Sequence, residues 1–177
     1  MSGMATPVDL KGLHLHLDMP SGIAGDMMLG ALFDLGVPEE VVRSALERLP
    51  IFGYELLVAK SQRKGVVGTD VKVVIDRAAG APARGPASPG RDASAIDDHA
   101  HRHYGEIKAM IEAARMGEDV RALAVRIFGH MARAEAKLHG TSVEDVVFHE
   151  VGAIDSIVDV VGCAAALAWL APTSVSA

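Results

Sequence analysis

The segment from residue 152 to residue 170 restricts the possible folds more than any other part of this chain. Apart from Asp155, Ser156 and Asp159, it consists of apolar residues and glycine. A helix that is apolar nearly all round has to be buried on most of its sides. Asp159 interrupts the apolar run, which is shorter than the roughly 20 residues that a bilayer span requires. The segment therefore predicts a mostly buried helix.

Two carboxylates on this predicted helix are the strongest indication of chemistry in the chain. Asp155 and Asp159 are four residues apart, so they share one helix face. Burying them is costly unless each is paired or holds a cation. We favour a cation, and pairing with a basic side chain is the alternative. The arginines available for such pairing are Arg102, Arg126 and Arg133.

The residues just before this helix add further ligand types. A β-like run at 146–148 ends at His149 and Glu150, and imidazole and carboxylate groups together suit a divalent metal. Upstream, residues 141–145 have the spacing of a capping box, which predicts a helix start. The roles that we assign are metal ligands His149 and Asp159, and catalytic carboxylates Glu150 and Asp155.

A glycine-rich turn near the start of the chain is the second candidate site. The alternation at 13–17 predicts a strand, and the spacing at 25–35 predicts a helix that Gly36 ends. A strand, turn and helix in this order can present backbone N–H groups to an anion. The turn matches no established phosphate-binding motif, and Asp26 acting as a helix cap is the alternative. The candidates are catalytic Asp18 and Asp26, and cofactor-binding Ser21, Gly22 and Gly25.

Alternating histidines form the third candidate. His99, His101 and His103 would share one side of an extended backbone, and imidazole suits nickel, copper or zinc. A solvated loop that happens to hold histidines is an equally good interpretation, and both stay open. His14 and His16 also alternate, on the predicted first strand, and we interpret them as solvent-facing residues without a ligand role.

The remaining patterns predict an α+β fold: a small strand and hairpin lobe with helices, followed by a mostly helical second half. Residues 77–98 are rich in alanine, glycine and proline and predict a flexible linker. We expect the α+β lobe at 1–76 and the helical segment at 99–177 to pack together as one domain. The predicted elements after the first helix are a helix at 38–49, a hairpin of 53–60 with 66–75, and helices at 104–116 and 118–138.

Charge and cysteine content narrow the range of functions. The net charge of −6 gives no electrostatic footprint for nucleic acid or an anionic membrane surface. The first residues lack the basic and apolar segments of a secretory signal. The single cysteine, Cys163, cannot form an internal disulfide, which favours the cytoplasm. Apolar helices favour a homo-oligomer.

Three segments, in this order, resemble the LarC family of nickel-insertion proteins. They are LDMPSGIAGDMMLGALFDLGV near the start, HRHYGEIKAMI in the middle and AEAKLHGTSVEDVVFHEVGAIDSIVDVVG near the end. The resemblance implies a cytoplasmic nickel chelatase of the lyase class that metallates pyridinium-3,5-bisthiocarboxylic acid mononucleotide, whose product serves lactate racemase and related enzymes. It also implies the use of CTP with Mn²⁺ or Mg²⁺, and a role for the histidine tract in nickel capture.

The resemblance further implies that a longer C-terminal portion holds the CTP site. We therefore expect an incomplete enzyme whose partner is that portion, either in the same protein or as a separate chain. The alternative function is a non-catalytic metal-binding or assembly module. In that case the apolar helix at 154–170 would dock a catalytic partner.

Overall fold

The apolar segment near the end of the chain forms the central helix, α5 (Ile154–Leu170), in the computed structural model. The structure describes residues 9–75, 102–148 and 151–177. Ten of the 17 residues of α5 are buried, which confirms the prediction of a mostly buried helix. Gly162 lets its neighbours approach closely, because a Cβ there would lie 3.1 Å from both Leu29 and Val42 side chains.

Five helices and six strands make up the described part of the chain, and the sheets are small. β2 pairs antiparallel with β3, β4 antiparallel with β5, and β1 parallel with β6. The α+β prediction is therefore confirmed. The elements are β1 (His14–His16), α1 (Gly25–Leu35), α2 (Glu39–Leu46), β2 (Tyr54–Arg63), β3 (Val66–Ile75), β4 (Arg102–His103), α3 (Tyr104–Ala113), α4 (Glu118–His139), β5 (Val147–Phe148), α5, and β6 (Ser174–Ser176).

The core lies where α5 packs against α1, α2 and α4. Phe128 on α4, Phe148 on β5 and Tyr104 on α3 add an aromatic cluster, with ring centroids 6.2–6.3 Å apart in the two contacting pairs. No helix within these described ranges has the length and apolar character that a bilayer crossing requires. Because α5 is covered by three other helices, it does not offer the free docking face that the assembly-module alternative assumed.

The hairpin of β2 and β3 packs against α1. Its turn is at Lys64 and Gly65, both with positive φ, between the two strands that were predicted to form a hairpin. Gly30 on α1 faces β3 so closely that a Cβ there would lie 2.4 Å from the Thr69 carbonyl oxygen. Asp34, one turn later, accepts hydrogen bonds from Lys60 Nζ, from Thr69 N at 2.9 Å and from Thr69 Oγ1 at 2.7 Å.

Three local predictions were wrong in detail. The helix predicted at 104–116 ends at Ala113. The helix predicted at 38–49 ends at Leu46. The capping-box spacing at 141–145 does not start a helix: Asp145 N donates to Ser142 Oγ at 3.3 Å, but the chain then continues into β5. The same side-chain pair stabilises a turn as well as a helix start, so the spacing alone does not distinguish them. The predicted linker at 77–98 lies outside the described residues.

Candidate functional site

Asp159 on α5 lies against the first residue of α1. A Cβ on Gly25 would be 2.5 Å from the Asp159 Cβ and 2.6 Å from its Oδ2, so the contact requires glycine. The backbone N–H of Asp26 donates a hydrogen bond to the Asp159 carboxylate. The carboxylate therefore lies at the positive end of the α1 dipole, which favours a negative charge. This contact joins the glycine-rich turn to the central helix.

Burial and neighbouring charges make Asp159 hard to ionise. Burial, then the charges of Asp26 and Asp155, raise the pKa of Asp159 to about 6, and the Asp26 N–H opposes this rise. Its Oδ1 atom is enclosed and has no hydrogen-bond partner within the described part of the chain. A cation or a proton at Oδ1 would relieve both the desolvation and the repulsion.

The other two carboxylates of this group, Asp26 and Asp155, are exposed. The Asp26 Oδ1 accepts the N–H of Met27 at 2.7 Å, and the Asp155 Oδ1 accepts that of Ser156 at 2.6 Å. Of the two acids on α5, only Asp159 is therefore drawn inward, because Asp155 lies one turn nearer the exposed start of the helix. The interpretation of Asp26 as the cap of α1 is wrong, since the N-cap is Ala24 and makes no side-chain bond.

The glycine turn itself is open to solvent. Ser21 and Gly22 are exposed, and Gly22 adopts a positive φ of 82° while its N–H donates to the Met19 carbonyl at 3.1 Å. Asp18 is also exposed, and no hydrogen bond or ion pair between described residues joins it to Asp159. No group of three or more histidine, cysteine or acidic side chains forms a ready metal site in the ranges that the structure describes.

Several predicted ligands lie outside the described residues: His99, His101, His149 and Glu150. His103 is described and exposed, immediately before α3. Arg102, considered as a partner for the acids, instead donates to the Gly152 carbonyl at 3.0 Å. Considering only residues with a described position, no ion pair joins Asp155 or Asp159 to an arginine. The alternative in which an arginine neutralises these acids is therefore not supported, and a cation stays the favoured interpretation.

Cys163, to which sequence analysis assigned no role in a site, is a neighbour of Asp159. Its thiol lies 3.7 Å from the Gly25 carbonyl oxygen. Burial, followed by the Asp159 charge, raises the pKa of the Cys163 thiol to about 12, so the thiol stays protonated at neutral pH. The signal that could have revealed this contact is the spacing of four between residues 159 and 163, which places both side chains on the face that meets α1.

Comparison with known proteins identifies the family of the chain. Residues 15–177 match the family described as "Nickel insertion protein". The chain belongs to this family. One relative, from Geobacter metallireducens, carries the provisional name of nickel insertion protein and is 44% identical to this chain over 165 residues. The match covers 92% of this chain and 37% of the relative. No solved structure matches this nickel insertion family chain.

Another relative in the nickel insertion family has a more specific name. It is the pyridinium-3,5-bisthiocarboxylic acid mononucleotide nickel insertion protein of Geobacillus kaustophilus, 45% identical over 156 residues. The match covers 88% of this chain and 36% of the Geobacillus protein. The chain thus spans little more than a third of the length of either relative.

Proposed function

We propose that this chain takes part in inserting nickel into pyridinium-3,5-bisthiocarboxylic acid mononucleotide, as one portion of a longer nickel chelatase. The family match supports nickel insertion, and the name of the Geobacillus relative supports this mononucleotide. The structural observation that carries the proposal is the enclosed, unpartnered Oδ1 of Asp159 beside the first turn of α1. Nickel is a substrate of the reaction, as is the mononucleotide.

Forming the carbon–nickel bond requires a group that accepts a proton. The ring carbon loses its proton, the electron pair of the C–H bond forms the bond to nickel, and sulfur–nickel bonds complete the product. A carboxylate with a pKa of about 6 is ionised at neutral pH yet basic enough to take up that proton. We therefore assign the base to Asp159, which sequence analysis had assigned as a metal ligand. Asp26 and Asp155 would then be the carboxylates that hold a cation.

The turn before α1 suits the phosphate of the mononucleotide only if a cation is present. Ser21, Gly22 and Gly25 lead into the α1 N-terminus, where backbone N–H groups favour anions. Asp26 and Asp159 place negative charge at the same helix end, so a phosphate there would be repelled. Mn²⁺ or Mg²⁺ held by these carboxylates would supply the positive charge that offsets this repulsion.

The remaining parts of the proposal concern groups beyond the described site. We assign the CTP site to the longer portion that the relatives possess, which is also the expected partner of this chain. We propose a cytoplasmic, lyase-class enzyme that acts as a homo-oligomer, with a product that serves lactate racemase and related enzymes. Asp18 and Glu150 stay candidate catalytic carboxylates. The proposed nickel ligands are His99, His101, His103 and His149.

The experiment is an insertion assay with the missing portion supplied. The chain is mixed with the remaining portion of the Geobacillus relative, the mononucleotide, Ni²⁺, CTP and Mn²⁺, and the nickelated product is followed by mass spectrometry. We expect Asp159→Asn to lower the insertion rate by about 100-fold or more, as loss of a general base does. The matched control is Glu112→Gln, an exposed acid on α3, and should leave the rate unchanged.

Two outcomes would contradict the proposal. An Asp159→Asn variant with the full insertion rate would show that this carboxylate is not the base. The second outcome is a mixture that binds nickel but forms no nickelated product, under conditions in which the whole Geobacillus protein does form it. In that case the chain acts as the metal-binding or assembly module instead.

A further inference from the structure

We propose that His14 and His16 on β1 form a surface binding site for a borderline divalent cation of the nickel, copper and zinc class. This site lies on the sheet of β1 and β6. It goes beyond the proposed function, because it requires neither the mononucleotide nor the carboxylates beside α1.

The two imidazoles converge on a single point. His14 Nε2 lies 3.0 Å and His16 Nδ1 lies 2.8 Å from the same atom, the Oγ of Ser176. Both ring nitrogens point at one oxygen atom. If a cation takes the place of that oxygen, both nitrogens can donate their lone pairs to it. Metal–nitrogen bonds of about 2.0–2.1 Å require the rings to close in by roughly 1 Å. Both side chains are exposed, so no packed neighbour blocks that movement once the cation replaces the contacts with the Ser176 hydroxyl.

A second contact orients His14 for this role. Its other ring nitrogen, Nδ1, lies 2.8 Å from the Oγ of Ser174. A neutral imidazole has one N–H and one lone pair, so donation from Nδ1 to Ser174 leaves the Nε2 lone pair directed at the convergence point. Metal-binding histidines usually have their second nitrogen held by a carboxylate, a backbone carbonyl or water, and the Ser174 hydroxyl takes that place here.

The strand register produces this arrangement. β1 and β6 are parallel, with His14 opposite Ser174 and His16 opposite Ser176. Alternate residues of a strand share a face, so both histidines and both serines lie on one side while Leu15 lies on the other. The solvent-facing interpretation of the histidines is correct as to exposure, but their side chains are held in place rather than freely solvated.

The donor set also predicts how firmly the cation is held. Among residues with described positions, no third histidine, cysteine or acidic side chain completes the group. Water would fill the remaining coordination positions. We therefore expect weak and rapidly exchanging binding, which suits delivery of nickel rather than its storage. Hard cations such as Mg²⁺ and Mn²⁺ prefer oxygen ligands and should not compete.

Nickel titration of the whole 177-residue chain tests the site. The starting protein carries glutamine at 99, 101 and 103, so that the histidine tract does not contribute. In isothermal titration with Ni²⁺, His14→Gln combined with His16→Gln should remove one binding event or weaken it at least tenfold. The matched control is His130→Gln, another exposed histidine on α4, and should leave the titration unchanged.

Serine variants that retain both imidazoles show whether the histidines bind the cation or only attach β1 to β6. Ser174→Ala should weaken Ni²⁺ binding by freeing the His14 ring. Ser176→Ala should leave binding unchanged or strengthen it, because it removes the oxygen from the convergence point. Paramagnetic Ni²⁺ should broaden the imidazole signals of His14 and His16 before that of His130.

The proposal is overturned if the His14 and His16 double variant binds Ni²⁺ as the starting protein does, or if Mg²⁺ displaces the nickel. Because the readout is binding to the metal alone, its failure is distinct from a failure of the insertion assay.

Discussion

Asp159 is the described side chain whose burial is expected to cost the fold most, and it is also the base that we propose. Its carboxylate touches Gly25, receives one backbone N–H and leaves Oδ1 enclosed without a partner in the described ranges. An uncompensated buried charge lowers the stability of a folded protein. The proposed role of Asp159 as a base would account for its presence despite this cost.

The raised pKa of Asp159 predicts a stability gain when the charge is removed. Folding raises the pKa from 3.8 to about 6, so the ionised form is penalised above about pH 6 and the penalty disappears as the pH falls toward 4. We expect Asp159→Asn to increase the free energy of unfolding by about 1–2 kcal/mol at pH 7.5, after allowance for solvent screening, and by less at pH 5.

Urea unfolding at both pH values measures this effect. Asp155→Asn is the control, since that acid is on the same helix but exposed, and its effect should be smaller. An Asp159→Asn variant that is less stable than the wild type at pH 7.5 would show that the carboxylate has a stabilising partner.

The contact at Gly25 predicts strong intolerance of any side chain. A Cβ at this position would lie 2.5 Å from the Asp159 Cβ, so α1 or α5 must shift to accept it. We expect Gly25→Ala to cost about 1–3 kcal/mol of stability, as overpacking does. Gly105→Ala is the matched control in α3, where a Cβ meets nothing within 4 Å and should be neutral or slightly stabilising. Thermal unfolding measures the stability of both variants, and a Gly25→Ala variant as stable as Gly105→Ala would contradict the prediction.

At the scale of elements, the hairpin is fastened to α1 by a small polar cluster. Asp34 accepts bonds from Lys60 and Thr69, and these hydrogen bonds hold the pKa of the Asp34 carboxyl below its usual value. The stability that Asp34 contributes is present above about pH 4 and is lost as the pH falls through the lowered pKa. This cluster positions α1, and with it the glycine turn.

Asp34→Asn should therefore weaken the fold in a pH-dependent way. We expect a loss of about 1 kcal/mol at pH 7, typical of charge-assisted hydrogen bonds at a partly exposed site. The loss should shrink as the pH falls below about 4. Glu55→Gln on β2, an exposed acid with no such cluster, serves as the control in the same denaturant titrations. Equal losses at pH 7 and at pH 2.5 would contradict the role of the charge.

The longer elements could be predicted because their own residues define them. The 25–35 spacing and Gly36 fixed α1 to the residue, and the alternation around residues 63–65 fixed the hairpin. The strands β4, β5 and β6 contain two or three residues each, and the partners that define them are distant in the chain. In the site, the spacing of residues 155 and 159 was visible, but the contact of Asp159 with Gly25 depends on tertiary packing.

At the scale of the whole molecule, stability is concentrated in α5. This helix contacts α1, α2 and α4, whereas β1 and β6 contact each other on an exposed surface. We expect the backbone amides of Val158 and Val161 to exchange with solvent only on global unfolding, and those of β6 to exchange much faster. Hydrogen exchange followed by mass spectrometry measures the difference. Equal protection of the two regions would show that β1 and β6 open only when the whole molecule unfolds.

The pairing of β1 with β6 has a consequence for synthesis on the ribosome. His14 and its partner Ser174 are 160 residues apart. At about 5–20 residues per second, the first strand waits roughly 8–32 s for its partner to be translated. Throughout that interval the two imidazoles have no serine hydroxyls to hold them. The nascent chain therefore acquires the ordered histidine pair only after Ser176 has been translated, shortly after α5, on which α1, α2 and α4 pack, has itself been made.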